Sequence, residues 1–180
     1  MLSKRFLIGA AVVLATVASA AAQEATQARV SPLPGGASSI VETFEDWRVT
    51  CGANGDKSVC TISQTQNQQN GQRVLEIGVG PGEGEGTVKG ALSLPFGLAL
   101  DKGVTLQIGD GNPGEPIAFS TCLPGGCIVP LNFDEATVAQ LRSAQTIKLG
   151  AVTVQEQATQ FAVSLKGFSA ALDRAAAIAN

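Results

Sequence analysis

Two pairs of closely spaced cysteines constrain the fold of this chain more than any other feature. Cys51 and Cys60 flank a segment containing Asn-Gly-Asp, and Cys122 and Cys127 flank Leu-Pro-Gly-Gly. Four cysteines allow three disulfide pairings. Asn, Gly and Asp favour a chain reversal, and Pro followed by Gly fits the two central positions of a type II turn. Both turns set neighbouring cysteines face to face, so the sequence favours two local disulfides, Cys51–Cys60 and Cys122–Cys127.

The N-terminus predicts export to a compartment where such disulfides persist. Lys4 and Arg5 precede an apolar run over residues 6–17, and small residues follow over 18–22. This is the three-part pattern of a cleaved signal peptide, with cleavage expected after Ala22 and, as a second choice, after Ala20. An uncleaved membrane anchor is the alternative, but the run is shorter than the ~20 apolar residues that span a bilayer.

Cleavage after residue 22 leaves 158 residues, the size of one domain. We expect residues 23–39, which contain Pro and Gly and no apolar period, to form a flexible leader, and residues 40–180 to form a single β-rich domain. The mature chain carries ten basic and fifteen acidic residues, a net charge of −5. That balance argues against nucleic acid or anionic lipid as the partner. No later segment is long and apolar enough to span a membrane.

Alternation of apolar and polar residues predicts an all-β sandwich or barrel. Glycine, proline, asparagine and aspartate separate the alternating runs, as turns require. The apolar positions of these predicted strands fall at 44–49, 59–62, 74–79, 88–94, 104–108, 117–119, 128–133, 147–154 and 161–165.

Two segments depart from this alternation and predict helices. Residues 134–144 begin with Asp134, a favoured N-cap, and Phe133 can pack on Val138 as a hydrophobic staple. The alanine-rich segment Ser169–Ala179 predicts a C-terminal helix capped by its first residue, with Leu172 and Ala176 on its apolar side.

No motif in the chain predicts catalysis, so we assign no catalytic, cofactor-binding or metal-binding residue. The chain has no histidine and no Gly-x-Ser-x-Gly sequence. Cys122 and Cys127 are separated by four residues rather than the two of a thioredoxin-like site, which favours a structural disulfide. The glycine-rich segment 78–86 lacks the following helix of a phosphate-binding loop and predicts a mobile, solvated loop. The segment 110–114 resembles a calcium loop but lacks its downstream acidic ligand. Trp47 falls on the predicted core face of its alternating run, which favours packing in the core over stacking on a sugar.

The chain resembles the invasion-associated locus B family of α-proteobacterial envelope proteins. The resemblance is carried by ordered segments that cover nearly the whole mature chain, at residues 44–51, 60–64, 94–104, 122–127 and 161–168. It implies an exported, compact β domain in which the four cysteines are structural. The family takes its name from host-cell invasion by a few pathogens, but it also occurs in free-living bacteria. It supplies no catalytic residue.

Three functional hypotheses follow. The first is a non-catalytic periplasmic or surface-associated (or secreted) protein that binds an envelope or host protein. The second is a small-ligand module that holds a sugar or glycan between loops, and the third is an unrecognised hydrolase. A concave pocket lined by aromatic residues would favour a ligand, and a flat exposed apolar patch would favour a protein partner.

Overall fold

The structure, a computed structural model, describes residues 31–179, so the expected signal peptide and leader residues 23–30 lie outside it. The described part is mainly β, as predicted, and its two α-helices are α1 (Glu135–Ser143) and α2 (Phe168–Ala179). Its strands are β1 (Ser39–Phe44), β2 (Trp47–Asn54), β3 (Lys57–Asn67), β4 (Arg73–Pro81), β5 (Val88–Leu94), β6 (Thr105–Ile108), β7 (Thr121–Leu123), β8 (Gly126–Phe133), β9 (Thr146–Val152) and β10 (Ala158–Ser164).

The strands form two antiparallel sheets that share one core. The larger sheet has seven strands in the order β1-β2-β3-β4-β5-β8-β7, and the smaller has the order β10-β9-β6. Strand residues alternate between buried and exposed positions, as in β2, where Trp47, Val49 and Cys51 are buried. The buried residues of both sheets and both helices belong to a single hydrophobic cluster. Alternation therefore predicted the inward face of most strands, although Val59 and Val154, which it also assigned to strands, are exposed.

Both predicted disulfides are confirmed, and each closes a hairpin with a two-residue turn. Cys51 lies opposite Cys60 with the Cα atoms 4.1 Å apart, and Cys122 lies opposite Cys127 at 3.9 Å. Cys122 and Cys127 lie one step from the closing pair of their hairpin, and Cys51 and Cys60 lie three steps from theirs. Both are therefore non-hydrogen-bonded pairs, where antiparallel strands approach most closely. Gly55 has a φ of 63° in the first hairpin. By the chain-entropy estimate each bridge contributes about 2–3 kcal/mol.

The predicted type II turn in the β7–β8 hairpin is wrong. A type II turn needs a positive φ at its third residue, here Gly125. The structure instead places the positive φ at Gly126, with a value of 138°. A Cβ atom on Gly126 would lie 2.5 Å from the carbonyl oxygen of Leu94 on the neighbouring strand β5. The hairpin therefore requires glycine at position 126, directly after the turn, where its backbone lies against β5.

Helix α1 begins as predicted. The Asp134 side chain accepts a hydrogen bond of 2.8 Å from the backbone N–H of Thr137. Hydrogen bonds from Thr137, first from its side chain and then from its backbone, lower the pKa of Asp134 below its ordinary value. Val138 and Leu141 are buried on the inner face, so the cap fixes which side of the helix meets the core.

Helix α2 buries more of its surface than its alanine-rich sequence indicates. It begins at Phe168, one residue before the predicted cap, and the Ser169 hydroxyl instead donates to the Arg142 carbonyl at 3.3 Å. Ala176, predicted on the apolar side with Leu172, is exposed. The buried positions are Phe168, Ala171, Leu172, Ala175 and Ile178. Small alanines let this face lie close to β2 and β3, so packing rather than side-chain size stabilises the helix.

An ion pair joins α2 to the first strand. The Arg174 guanidinium donates to both carboxylate oxygens of Glu42, at 2.8 Å and 2.7 Å. This hydrogen bonding lowers the pKa of Glu42, against a smaller opposing effect of desolvation. A lowered carboxyl pKa means that the pair stabilises the fold at neutral pH and stops doing so as the pH falls through that lowered pKa.

Two stretches differ from the sequence-based expectation. Residues 31–38 were expected in the flexible leader, but Leu33 is buried in the core and the Ser31 hydroxyl donates to the Ala37 carbonyl, so the packed chain begins before residue 40. The predicted strand at 117–119 is reduced to one bridge between Ile117 and Val104. Pro113 and Pro116 precede it, and proline lacks the N–H that a strand donates.

Candidate functional site

Three regions without cysteine can be compared as binding sites: the glycine-rich segment, a hollow beside the two helices and a set of exposed apolar residues. All four cysteines are disulfide-bonded, so they offer no free thiol as a nucleophile or metal ligand in the state described. Within residues 31–179 no group of three acidic, histidine or cysteine residues could hold a metal ion. The same range contains no helix with the length and apolar character to cross a membrane.

The glycine-rich segment is a hydrogen-bonded hairpin connection rather than a phosphate cradle. Its first residues, to Pro81, complete β4. The Gly82 N–H then donates to the Thr87 carbonyl at 2.9 Å, and the Thr87 hydroxyl donates to the Gly84 carbonyl at 2.6 Å. Glu83 pairs with Lys89 at 3.0 Å, and this hydrogen bond lowers the pKa of Glu83. The loop is exposed, as predicted, but its backbone groups bond to one another rather than converging on a ligand.

A hollow of about 680 Å³ lies between this loop and both helices. Glu85 and Glu135 line it together with Arg142 and apolar residues of α1 and α2. Arg142 is held by Asp173 at 2.7 Å. Both glutamates are exposed to water, so the hollow lacks the buried carboxyl that serves as the acid in glycoside hydrolysis. It also has no aromatic residue in its lining on which a sugar could stack.

Three exposed apolar residues, Phe96, Leu100 and Val154, lie on two segments that are hydrogen-bonded to each other, and we call them the loop-end patch. Their exposed fractions are 62%, 44% and 60%. Large hydrophobic residues are strongly exposed at only six positions of the described chain, and these are three of them. Burial of such residues against a partner stabilises the complex, by roughly 25 cal/mol per Å² of apolar surface removed from water.

Two adjacent segments position the loop-end patch. Residues 97–99 run antiparallel to the end of β9. The Ala99 N–H donates to the Val152 carbonyl at 2.8 Å, and the Val154 N–H donates to the Gly97 carbonyl at 2.9 Å. Leu98 between them is buried and pairs with Thr153. The segments that carry Phe96 and Val154 are therefore hydrogen-bonded to each other, and the buried Leu98 attaches them to the core.

A tight turn fixes the other end of the segment. The Gly103 N–H donates to the Leu100 carbonyl at 3.3 Å, closing a 3₁₀ turn over Leu100–Lys102. Gly103 has a φ of 66°, and a Cβ there would lie 2.7 Å from the Ile117 carbonyl oxygen. Because both ends are held, binding would cost little loop ordering. Asp101 and Lys102 pair at 3.6 Å beside the patch and give it a charged rim, as protein interfaces have.

Sequence reasoning did not identify this patch. Its segment was noted only as part of the family resemblance, and alternation analysis placed Val154 at the end of a strand. The available signal was Pro95-Phe96-Gly97, an aromatic residue between two turn-forming residues. A large apolar side chain in a turn has no place on the buried face of a strand, and this makes it a candidate for binding.

Comparison with known proteins gives consistent matches over most of the chain. The family model described as "Invasion associated locus B (IalB) protein" matches residues 47–176. A protein named invasion protein B homolog from Brucella abortus (strain 2308) is 45% identical over 148 residues, covering 81% of this chain and 84% of its own. Invasion protein B from Bartonella bacilliformis is 35% identical over 153 residues, covering 83% and 82%.

A solved structure is similar in fold as well as in sequence. The crystal structure of invasion associated protein B from Bartonella henselae superposes with a TM-score of 0.72 at 34% identity. The match covers 77% of this chain and 95% of that one. The overall fold is therefore shared with a relative of known structure.

Proposed function

This chain belongs to the invasion associated locus B family, and we propose that its mature domain is a non-catalytic periplasmic protein that acts by binding another protein. Its relatives are named as invasion proteins and not as enzymes. The two disulfides and the signal-peptide pattern support export. The observation that carries the proposal is the loop-end patch, which is apolar, exposed and held in place.

The other two hypotheses have weaker support. The hollow beside Glu85 and Glu135 is open and has no aromatic lining, whereas sugar sites commonly combine a concave shape with stacking rings. Its carboxylates are exposed rather than buried, which is unfavourable for a hydrolase. A protein partner needs only a well-packed apolar centre with a polar rim, and the loop-end patch offers both.

The proposal predicts that polar substitution of the patch releases the protein from its envelope complex. In the native organism, Phe96→Ser combined with Val154→Ser should move the protein in size-exclusion chromatography from a larger assembly to the elution position of the purified protein. Loss of central interface side chains weakens binding by about 2 kcal/mol or more.

Leu123→Ser is the matched control. Leu123 is also an exposed large hydrophobic residue, at 54%, but it lies on β7 at the edge of the larger sheet. It should leave the elution unchanged. The proposal is wrong if the double variant elutes with the wild-type assembly, or if the wild-type protein elutes at the position of the purified protein.

A further inference from the structure

The smaller sheet has one edge that is closed by side chains. β10 is an edge strand, and its outward backbone groups bond to glutamines of β3. The Gln64 side chain donates to the Ser164 carbonyl at 2.9 Å and accepts from the Ser164 N–H at 3.2 Å. Gln66 donates to the Ala162 carbonyl at 2.6 Å, and the Trp47 indole N–H also donates to Ser164. These contacts occupy the backbone N–H and carbonyl groups with which another strand could pair at this end of β10.

The next two edges are also blocked. On β6, the Leu106 carbonyl accepts from the Gly114 N–H at 2.9 Å. The strand β7 has only three residues, and beyond its end β8 carries Pro130, which has no N–H to donate. Short strands and edge prolines are common ways in which proteins prevent unwanted strand pairing.

The remaining edge, β1, is open. Its six residues pair with β2 on one side only. Phe44 and Trp47 flank a two-residue turn, so they form a hydrogen-bonded pair. The backbone groups of Phe44, Glu42 and Ile40 therefore face β2, and those of the alternate residues of β1 point away from it. The outward residues are Ser39, Val41 and Thr43, all exposed. No residue between 31 and 179 forms a hydrogen bond with their backbone groups.

The side chains beside this edge favour pairing with an identical strand. Val41 is 59% exposed and lies between the exposed Ser39 and Thr43, so pairing with an identical strand can set valine against valine and hydroxyl side chains against each other. Glu42, the one charged residue of β1, is already neutralised by Arg174 on the opposite face. The outward-pointing residues of β1 itself therefore carry no charge, and Val41 is the apolar one among them.

Register selects one symmetric arrangement. Antiparallel pairing centred on Val41 places Ser39 opposite Thr43 of the partner subunit and uses the outward groups of all three exposed residues. Centring one residue later would place Ser39 opposite the turn that follows β1, so that only Val41 and Thr43 could form ladder hydrogen bonds. Centring one residue earlier would pair only half of the strand.

We propose that β1 is the interface of a two-fold homodimer, in which the β1 strands of two copies pair antiparallel with Val41 at the symmetry axis and join the two seven-stranded sheets into one. This surface lies on β1 and not on the loop segments that carry Phe96, so a test of the dimer is independent of a test of the partner-binding proposal. Pairing along one short strand gives a small interface, so the dimer should depend on protein concentration.

Cysteine crosslinking tests the register. In the proposed dimer, Val41→Cys places two thiols directly opposite each other with Cα atoms about 5.5 Å apart, within the range of a disulfide. Thr43→Cys is the matched control, because its symmetry mate lies four residues, or about 13 Å, further along the strand. With purified mature protein under mild oxidation, Val41→Cys should give a dimer on a non-reducing gel, and Thr43→Cys should not. Equal crosslinking of both variants, or of neither, would overturn the proposal.

Sedimentation equilibrium of the protein without added cysteine provides an independent measurement. Val41→Pro removes an outward N–H while leaving the pairing with β2 intact. It should weaken dimerisation at least about tenfold, with an unchanged far-UV circular dichroism spectrum. A wild-type protein that stays monomeric at all concentrations, including the case in which residues before 31 cover the edge, would contradict the dimer.

Discussion

Replacing Trp47 with alanine is expected to lower the free energy of unfolding by about 3–5 kcal/mol, the usual cost of removing a fully buried large aromatic side chain. Trp47 is 1% exposed, and its ring meets Phe168 edge to face with the ring centres 5.1 Å apart. Its indole N–H also donates to the Ser164 carbonyl at 2.9 Å. One side chain at the start of β2 therefore contacts both α2 and the smaller sheet.

Urea unfolding of the oxidised protein measures this effect. Trp47→Phe retains much of the packing and removes the hydrogen bond, so its cost should be intermediate. Phe96→Ala is the control for removing an aromatic side chain, and it should change stability by no more than about 0.5 kcal/mol, because Phe96 is exposed. A loss below about 1 kcal/mol for Trp47→Ala would show that the ring does not join these elements.

Gln64→Ala is expected to cost about 2–4 kcal/mol, although the side chain is polar. Gln64 is the buried polar residue of the described core, and its amide bonds both backbone groups of Ser164. Truncation leaves the Ser164 N–H without its partner, and each unsatisfied buried group costs about 1–3 kcal/mol in addition to the lost packing. The Ser164 carbonyl keeps the bond from Trp47.

Chemical denaturation again provides the readout, with two comparisons. Gln64→Leu restores most of the volume but not the hydrogen bonds, so it should remain destabilised. Gln66→Ala should cost less, because the bond from Gln66 to Ala162 is exposed. If Gln64→Leu were as stable as the wild-type protein, the glutamine would not be the link between the two sheets that we infer.

The features predicted correctly from sequence depend on neighbouring residues. Cysteines that flank short turns, and an aspartate that caps the helix following it, need only local geometry, and both were found as expected. Alternation identified the strands for the same reason, because it reports which side of each strand is buried. The burial of Leu33 and Phe168 was not predicted, since it depends on contacts with elements distant in sequence.

The candidate site could not be derived in the same way. Phe96 and Val154 are 58 positions apart in the numbering, and their segments lie side by side only because residues 97–99 pair with the chain at the end of β9. The Gln64–Ser164 contact joins positions 100 apart. Neither pairing leaves a local signal, because polar residues in a strand normally indicate its exposed face and an apolar run normally indicates its buried one.

Photo-crosslinking from position 96 in living cells of the native organism tests the central claim, that the loop-end patch binds another protein. We expect p-benzoylphenylalanine introduced in place of Phe96 to form a discrete adduct with a different envelope or host protein, and the same amino acid in place of Leu123 to form none. No adduct at position 96, an adduct with a second copy of this chain alone, or equal labelling from both positions would contradict the claim.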